Sequence, residues 1–134
     1  MARYWRLPNM LLIKAYVGKS KVHGNGLFAT EDIAEGTELY CFDPSIDRKV
    51  DVADAKGDDL HFGYISPVDG KLIICGDDAR WWNFGWPMPP NCVESHANLR
   101  HGEGVLYSCS HIRAGDELLV SMETDLDAQR KLML

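Results

Sequence analysis

Residues 80–92 read RWWNFGWPMPPNC, and this stretch carries more information about the fold than any other. It holds three tryptophans, three prolines and two asparagines within thirteen residues. Three prolines exclude a helix or a central strand, and three indole rings are unusual in an ordinary surface loop. We therefore expect this segment to lie between β-elements and to pack against the core.

Short apolar runs that end at turn-like sequences lie on both sides of this stretch. Because they are rich in β-branched and aromatic residues, they favour strands. The predicted strands are MLLIKAYV, ELYCF, KLIICG, GVLYSCS and ELLVSM, and residues 98–107 are predicted to form a hairpin around a glycine-containing loop. Two short helices are predicted, over residues 50–60 and 125–134. The sequence thus predicts a mostly-β single domain over residues 1–134.

Composition restricts the function classes. The chain has 134 residues, a net charge of -6 and a pI of about 5.2. A direct nucleic-acid binder is disfavoured because its surface is basic, and no apolar run is long enough for a membrane span. With no recognisable signal peptide, we expect a cytoplasmic protein. No histidine pair or CxxC pair suggests a metal site, and reduced thiols are expected at the scattered cysteines Cys41, Cys75, Cys92 and Cys109.

A second informative stretch is VHGNGLFATEDIAEGTEL, residues 22–39. Gly24 and Gly26 stand just before the apolar pair Leu27 and Phe28. Glycine permits positive φ and lets a ligand approach the backbone closely. A lone pair of glycines is more often a plain turn, so a binding site here needs support from the rest of the chain.

Three segments in the same order resemble the motifs of the SET domain, the fold of protein lysine methyltransferases that use S-adenosyl-L-methionine (AdoMet). KSKVHGNGLFATEDIAEGTEL resembles the first motif, and HIRAGDELLVSM resembles the closing I-x-x-GEEL-x-x-x-Y. GDDARWWN…PNC resembles GDDARFxNHSxxPN, in a form associated with short bacterial and viral members. The resemblance covers about residues 12–127. It implies a β-clip-like fold of small curved sheets, few short helices and a knot-like crossing of the C-terminal segment.

The same resemblance implies an AdoMet pocket. Asn83 would hold the methionine part of AdoMet, and Phe84, which stands where the family has His, would pair with adenine through its backbone. The rest of the pocket would come from the backbone at His23, Gly24, Asn25 and Gly26. Aromatic walls of a lysine channel are implied at Phe42 and Tyr64. The family uses no metal for this reaction.

Two departures from the family pattern bear on activity. The family's Asn-His-Ser is Asn83-Phe84-Gly85 here, and Asn83 precedes Asn91 by eight positions instead of the family's six. The position of the family's catalytic tyrosine holds Met122, which has no hydroxyl to orient an amine. Losing one oriented polar group costs about two or three orders of magnitude in rate. A replacement would have to come from elsewhere in the chain, for instance from Tyr16, Tyr40, Tyr64 or Tyr107.

Two functional interpretations follow. The leading one is an AdoMet-dependent protein-lysine N-methyltransferase that acts on a lysine-containing protein or peptide with an atypical site. The alternative is an inactive SET-fold module, a pseudoenzyme, that binds a peptide or partner protein. The tryptophans Trp81, Trp82 and Trp86 either fill the core or form an aromatic wall. Oligomeric state is left open, a homodimer included.

Overall fold

The computed structural model describes residues 12–85 and 88–121, without the side chains of His61 and Asn98. Within these residues the strands are β1 (Ala15–Lys19), β2 (Asn25–Ala29), β3 (Glu38–Cys41), β4 (Arg48–Val50), β5 (Gly63–Ile65), β6 (Leu72–Ile74), β7 (Asn83–Phe84), β8 (Cys92–Arg100), β9 (Glu103–Ser108) and β10 (Leu119–Val120). The helices are one short α-helix, α1 (Asp59–Phe62), and two 3₁₀ helices at Val52–Asp54 and Asp78–Trp81. The predicted mostly-β fold of small sheets is confirmed.

The strands form three small sheets. A two-stranded antiparallel sheet pairs β1 with β2, and a three-stranded antiparallel sheet has the order β4-β6-β5. The largest sheet has five strands in the order β3-β9-β8-β10-β7. Its two halves differ in direction, since β3, β9 and β8 pair antiparallel while β10 runs parallel to both β7 and β8.

Strand β10 lies between the two ends of the segment at residues 80–92. The amide of Gly85 donates to the Val120 carbonyl, and the amide of Asn91 donates to the Leu119 carbonyl, both at 2.9 Å. The aromatic, proline-rich loop is therefore anchored on both sides by one short strand from the C-terminal part of the chain. The knot-like crossing itself stays a prediction.

The hairpin predicted at residues 98–107 is confirmed as β8–β9. Its turn has His101 at φ 51° and Gly102 at φ 80°. Two consecutive positive φ angles are the mark of the turn whose twist matches that of antiparallel strands. This hairpin supplies the centre of the largest sheet.

The helix predicted over residues 50–60 is wrong in extent. Residue 50 ends β4, and two separate short helices follow, with Gly57 at φ 56° between them. A left-handed residue cannot continue a right-handed helix, so the glycine divides the segment. Each of the five predicted strand runs overlaps a strand, whereas β2, β4, β5 and β7 were missed. The helix predicted at 125–134 lies outside the described residues.

The core joins the two-stranded and five-stranded sheets. Its fully buried members are apolar side chains from β2, β3, β8 and the segment before β10, namely Leu27, Ala29, Leu39, Cys92, Ile112 and Leu118. All four cysteines are free thiols, of which Cys75 and Cys92 are buried. None of the helices in the described ranges is long and apolar enough to cross a membrane.

Candidate functional site

A cavity of about 670 Å³ is lined by residues from all three sheets. Its volume falls within the range of small-molecule binding sites, which is about 300–1,000 Å³. The wall includes the turn before β2, the whole of β5 and β7, the 3₁₀ helix that ends at Trp81, and single residues of β3, β8 and β9. This cavity is the candidate functional site.

One part of the wall is the turn that leads into β2. The Ser20 amide donates to the Gly24 carbonyl at 2.8 Å, and the Ser20 Oγ accepts from the amides of Val22 and His23. Gly24 has φ 47°, and no heavy atom lies within 4 Å of the position that a Cβ would occupy. The turn is thus closed tightly by Ser20 while its backbone at Gly24 stays uncovered on the cavity side.

Asn83 fixes this turn from the opposite strand. Its Nδ2 lies 2.9 Å from the His23 carbonyl, 3.0 Å from the Asn25 carbonyl and 3.1 Å from Oε2 of Glu117. An amide nitrogen has only two hydrogens, so these three acceptors share them. The arrangement fixes the orientation of the amide and turns its oxygen away from the three acceptors.

Glu117 completes the network behind the turn. Ser20 Oγ lies 2.9 Å and 2.8 Å from the two carboxylate oxygens of Glu117. Gly26 leaves the space for this carboxylate, because a Cβ at Gly26 would lie 2.9 Å from the Glu117 Cδ. Gly26 does not line the cavity, and its contribution is to let Glu117 approach the backbone.

Asn91 holds the other end of the loop. Its Nδ2 donates to the Glu117 carbonyl at 2.9 Å, and its Oδ1 accepts from the Leu119 amide at 2.8 Å. The Asn91 side chain therefore replaces strand pairing for the residues just before β10. The two asparagines have different tasks: Asn83 contacts the cavity turn, and Asn91 positions the C-terminal strand.

Aromatic rings form much of the remaining wall. Phe62 and Trp81 meet edge to face with ring centroids 5.0 Å apart, and the Arg80 guanidinium lies 4.1 Å from the Phe62 ring centroid. Trp82 meets Tyr40 edge to face at 6.4 Å. Trp81 and Trp82 serve both as core packing and as an aromatic wall, since they are half-buried and also line the cavity. Trp86 lies outside the described residues.

Two phenols lie in the cavity wall in different environments. The Tyr40 hydroxyl donates to Oδ2 of the buried Asp47 at 2.7 Å and accepts from the Cys75 thiol at 3.3 Å. Burial raises the pKa of Tyr40 and of Tyr64 well above the ordinary value for a phenol. Both hydroxyls are therefore protonated at neutral pH and act as hydrogen-bond donors. The Tyr40 hydroxyl donates its hydrogen bond to Asp47, whereas Tyr64 is in contact with Tyr40.

A carboxylate also lines the cavity. Glu94 of β8 has a side chain 12% exposed, and its Oε2 lies 3.3 Å from Nε2 of His96, which is 8% exposed. Gly104 on β9 leaves room for it, because a Cβ there would lie 2.7 Å from Oε2 of Glu94. The negative charge of Glu94 contributes to the raised pKa of Tyr64, after burial and Cys75.

Most of the sequence-predicted site residues meet at this cavity. The residues that line it are His23, Gly24, Asn25, Asn83, Phe84 and Tyr64. Phe42 is 5% exposed and does not line it; its ring lies 5.5 Å from Nζ of Lys49. Met122 lies outside the described residues, although the chain reaches the cavity wall at Val120 and Ser121.

Two acidic residues of the site were missed from the sequence. Glu117 sits in the closing motif, and the Asn83 contact that makes it informative spans 34 positions. Glu94 is part of the predicted loop-to-hairpin segment and carries no motif of its own. Of the four candidate replacement tyrosines, Tyr40 and Tyr64 line the cavity and Tyr16 and Tyr107 do not. Tyr16 is 45% exposed and stacks on Phe28. Among the described residues, no group of three or more metal-ligating side chains occurs.

Comparison with known proteins adds a family and a fold. Residues 24–121 match the family model of the SET domain. The structure is similar to a Plasmodium falciparum protein described as a candidate histone methyltransferase, with a TM-score of 0.60 and 18% identity over 83% of this chain and 94% of that one. It is also similar to the methyltransferase domain of human PR domain-containing protein 2, with a TM-score of 0.55 and 21% identity over 90% of this chain and 82% of that one. No curated protein matches.

Proposed function

The chain belongs to the SET-domain family, and we propose that it is a protein-lysine N-methyltransferase that uses AdoMet. One observation carries the proposal: in a cavity of ligand size, the Asn83 amide holds the turn around Gly24 in an open conformation. A turn with an uncovered glycine backbone, fixed by a distant side chain, is the kind of surface that binds a small polar ligand.

The residues present are compatible with AdoMet. The space beyond Gly24 is empty within 4 Å, so ligand atoms can approach the backbone there. Phe84 is 49% exposed on the same wall and offers an apolar surface next to Asn83. We propose that His23, Gly24 and Asn25 contact the ligand through their backbone, that Asn83 contacts its methionine part, and that Phe84 flanks its adenine.

Bound AdoMet would supply an electrophilic methyl group, and the protein would have to bring a neutral amine to it in line. A lysine side chain that enters the cavity leaves water, and desolvation disfavours its ammonium form. The apolar part of the wall, to which Phe62, Ile65 and Leu106 contribute, restricts its direction of approach. These residues therefore favour the reactive form of the amine and limit its orientation.

The hydroxyl that orients the amine is the point at which this chain departs from its family. We propose that Tyr64 takes over this task from the missing tyrosine at position 122. Its raised pKa keeps the hydroxyl protonated, and unlike Tyr40 it is not bound to Asp47. Phe42, which packs near Lys49, is proposed as support for the sheet beside Tyr64 rather than as a wall of the channel.

AdoMet binding tests the proposal directly. AdoMet and its demethylated product should both give heat when titrated into the purified protein by calorimetry, and no heat at millimolar ligand would rule the cofactor out. With binding established, a lysine-rich protein should accept methyl groups. The same assay with Met122→Tyr should show a higher rate, because the variant restores the hydroxyl that the family has at this place.

An inactive binding module is the competing function, and Met122 is the observation that favours it. The two functions separate in the same assay. A protein that binds AdoMet but transfers no methyl group, either as it stands or as Met122→Tyr, would support the binding module. Methyl transfer to lysine would exclude it.

A further inference from the structure

Glu94 is the acidic side chain in the cavity wall that the proposed reaction has not used so far. Its carboxylate is nearly buried, and Gly104 provides the space in which it lies. A buried carboxylate is costly unless a cation or a set of hydrogen-bond donors offsets the loss of water. The position of Glu94 on a cavity wall, rather than in the packed core, makes a ligand cation one means of offsetting that cost.

A second buried carboxylate nearby shows how the fold satisfies an acid that has a structural task. Glu103 on β9 is 1% exposed, accepts a hydrogen bond from Ser66 at 2.6 Å and forms an ion pair with Lys49. Glu103 is thus matched by a permanent cation. Glu94 differs in its place, since it has His96 within ion-pair distance and its carboxylate lines the cavity.

His96 gives independent support. Its side chain is 8% exposed, and among the described residues neither ring nitrogen has a hydrogen-bond partner. Its Nε2 nevertheless lies 3.3 Å from Oε2 of Glu94, without hydrogen-bond geometry. A buried imidazole with no bonded partner is rare in a packed interior. Glu94 lines the cavity and His96 does not, so the imidazole lies beside the carboxylate in a place from which it can fix the carboxylate's position.

We propose that Glu94 binds the amine of the substrate and accepts its proton, and that His96 positions the Glu94 carboxylate. The proposal deepens the proposed methyltransferase function and, for the proton step, rests on it. The substrate class is a primary or methylated alkylamine that enters as a cation. The cavity would therefore select lysine over neutral side chains of the same length.

In the proton step, a proton moves from the substrate ammonium to the Glu94 carboxylate. One N–H bond of the ammonium breaks, its electron pair stays on nitrogen, and the proton forms an O–H bond with the Glu94 carboxylate. In water an alkylammonium holds its proton about six pKa units more tightly than a carboxylic acid. A cavity that excludes water penalises both the ammonium and the carboxylate, so the neutral amine and neutral acid gain relative to the ion pair. The freed electron pair is the nucleophile.

The charged and titratable groups around Glu94 come from several elements. His96 lies on the same strand as Glu94, and Glu103 lies on β9 with its charge matched by Lys49. The other groups in or beside the cavity wall are Tyr64 of β5, Tyr40 of β3, Cys75 after β6, and Arg80 stacked on Phe62. Burial raises the pKa of Tyr40, Tyr64 and Cys75, so these three are neutral at neutral pH. Among the described residues, the basic side chains in the wall are His23 and Arg80, and His96 lies beside Glu94.

Amine recognition can be tested without AdoMet or catalysis. n-Butylammonium and 1-butanol have the same length, and both can be titrated at pH 7 while tryptophan fluorescence is followed, to which Trp81 and Trp82 in the wall contribute. The wild type should bind the ammonium about tenfold or more tightly than the alcohol. Glu94→Gln keeps the shape of the side chain and should abolish the preference. A preference that persists in Glu94→Gln, or a wild type with none, would overturn the proposal.

A matched control is Glu38→Gln. Glu38 forms an ion pair with Arg100 at 2.6 Å and does not line the cavity. Glu38→Gln removes the same charge from the molecule as Glu94→Gln, so the ammonium preference of this control should equal that of the wild type. An equal loss in both variants would show that overall charge, not Glu94, attracts the amine, and would contradict the proposal.

The proton step has a pH signature. Glu94→Gln should lower kcat/KM for a lysine peptide about 100-fold at pH 7, and the deficit should shrink towards pH 10, where solvent has already removed the proton. A deficit that does not change with pH would overturn the role of Glu94 as proton acceptor. If no variant transfers methyl groups at any pH, the methyltransferase proposal fails, and the binding measurement still decides whether Glu94 recognises the amine.

His96 is tested as a positioning residue. His96→Leu should reduce the ammonium preference several-fold, and His96→Gln, whose amide nitrogen can occupy the place of Nε2, should restore most of it. Both variants change packing. If His96 had only a structural role, both substitutions would change the unfolding transition, and the two variants would have the same ammonium preference. That outcome would remove His96 from the proposal.

Discussion

Two parts of the cavity wall are held in place by different means. The cofactor turn, residues 20–26 with Asn83 and Glu117, is fixed by short hydrogen bonds between side chains and backbone carbonyls. The amine pocket, which we define as the cavity-lining residues Tyr40, Tyr64 and Glu94 together with His96 beside Glu94, is set by strand positions and by burial. The first part is rigid by bonding, and the second by packing.

This difference predicts how each part responds to substitution. In the cofactor turn, removing one donor releases several acceptors at once, so loss of ligand binding should accompany a local change of shape. In the amine pocket, a phenol or carboxylate can be replaced by an isosteric group with little change in shape, and the chemistry alone should suffer. The following predictions test that contrast, starting with the largest effect.

Asn83→Ala should lower AdoMet affinity about 100-fold. The variant deprives the His23 and Asn25 carbonyls and the Glu117 carboxylate of a shared donor, and bonds to charged groups are worth about 1.5–3 kcal/mol. Calorimetry with AdoMet measures the affinity. Asn91→Ala is the control: it removes bonds to Glu117 and Leu119 outside the turn and should lower unfolding stability by about 2–3 kcal/mol instead. Equal effects of the two variants on affinity would contradict a separate task for Asn83.

Gly26→Ala should destabilise the protein by about 2 kcal/mol through overpacking. The new methyl group would meet the Glu117 carboxylate, which Ser20 and Asn83 hold in place. Gly36→Ala is the matched control, since Gly36 has φ 85° and open space around it. That variant carries only the cost of a left-handed alanine, about 1–2 kcal/mol, and should keep AdoMet binding. Thermal unfolding and calorimetry separate the two, and a Gly26→Ala protein with unchanged AdoMet affinity would count against the Glu117 network.

The two tyrosines should respond oppositely to loss of the hydroxyl. Tyr40→Phe removes a donor from the buried Asp47, which keeps the amides of Asp43 and Gly76, and should cost about 2 kcal/mol of stability. Tyr64→Phe should leave stability nearly unchanged and lower kcat, because its hydroxyl is proposed to orient the amine. Chemical denaturation together with a methyl-transfer assay distinguishes them. If Tyr40→Phe lost the greater share of kcat at equal stability, the assignment of the two phenols would have to be exchanged.

The same contrast explains how much of the molecule the sequence could predict. Gly24 and Asn83 stand out because an uncovered left-handed turn and an amide that bridges two carbonyls each accept few other residue types. Glu94 does not stand out, since its place in the cavity depends on the register of β8 against β9 and on the absence of a side chain at Gly104. Strands of two or three residues, such as β5 and β7, are too short to show an alternation of apolar and polar residues. They are defined by strand pairing, which exists only in the folded chain.

Alkaline pH should destabilise the folded chain through its two buried thiols. Burial raises the pKa of Cys75 to about 12 from an ordinary value of 9.0, and that of Cys92 likewise. Above pH 9 the unfolded chain releases these protons while the folded chain keeps them, so this share of the stability is complete below pH 9 and is lost between pH 9 and 12. Each thiol contributes a slope of about 1.4 kcal/mol per pH unit in that window. Cys75→Ser, measured by urea unfolding from pH 8 to 11, should flatten the decline by one such slope, and Cys109→Ser, at an exposed thiol, should flatten it less. A decline that is as steep in Cys75→Ser as in the wild type would show that other groups, not this thiol, lose their protons on unfolding.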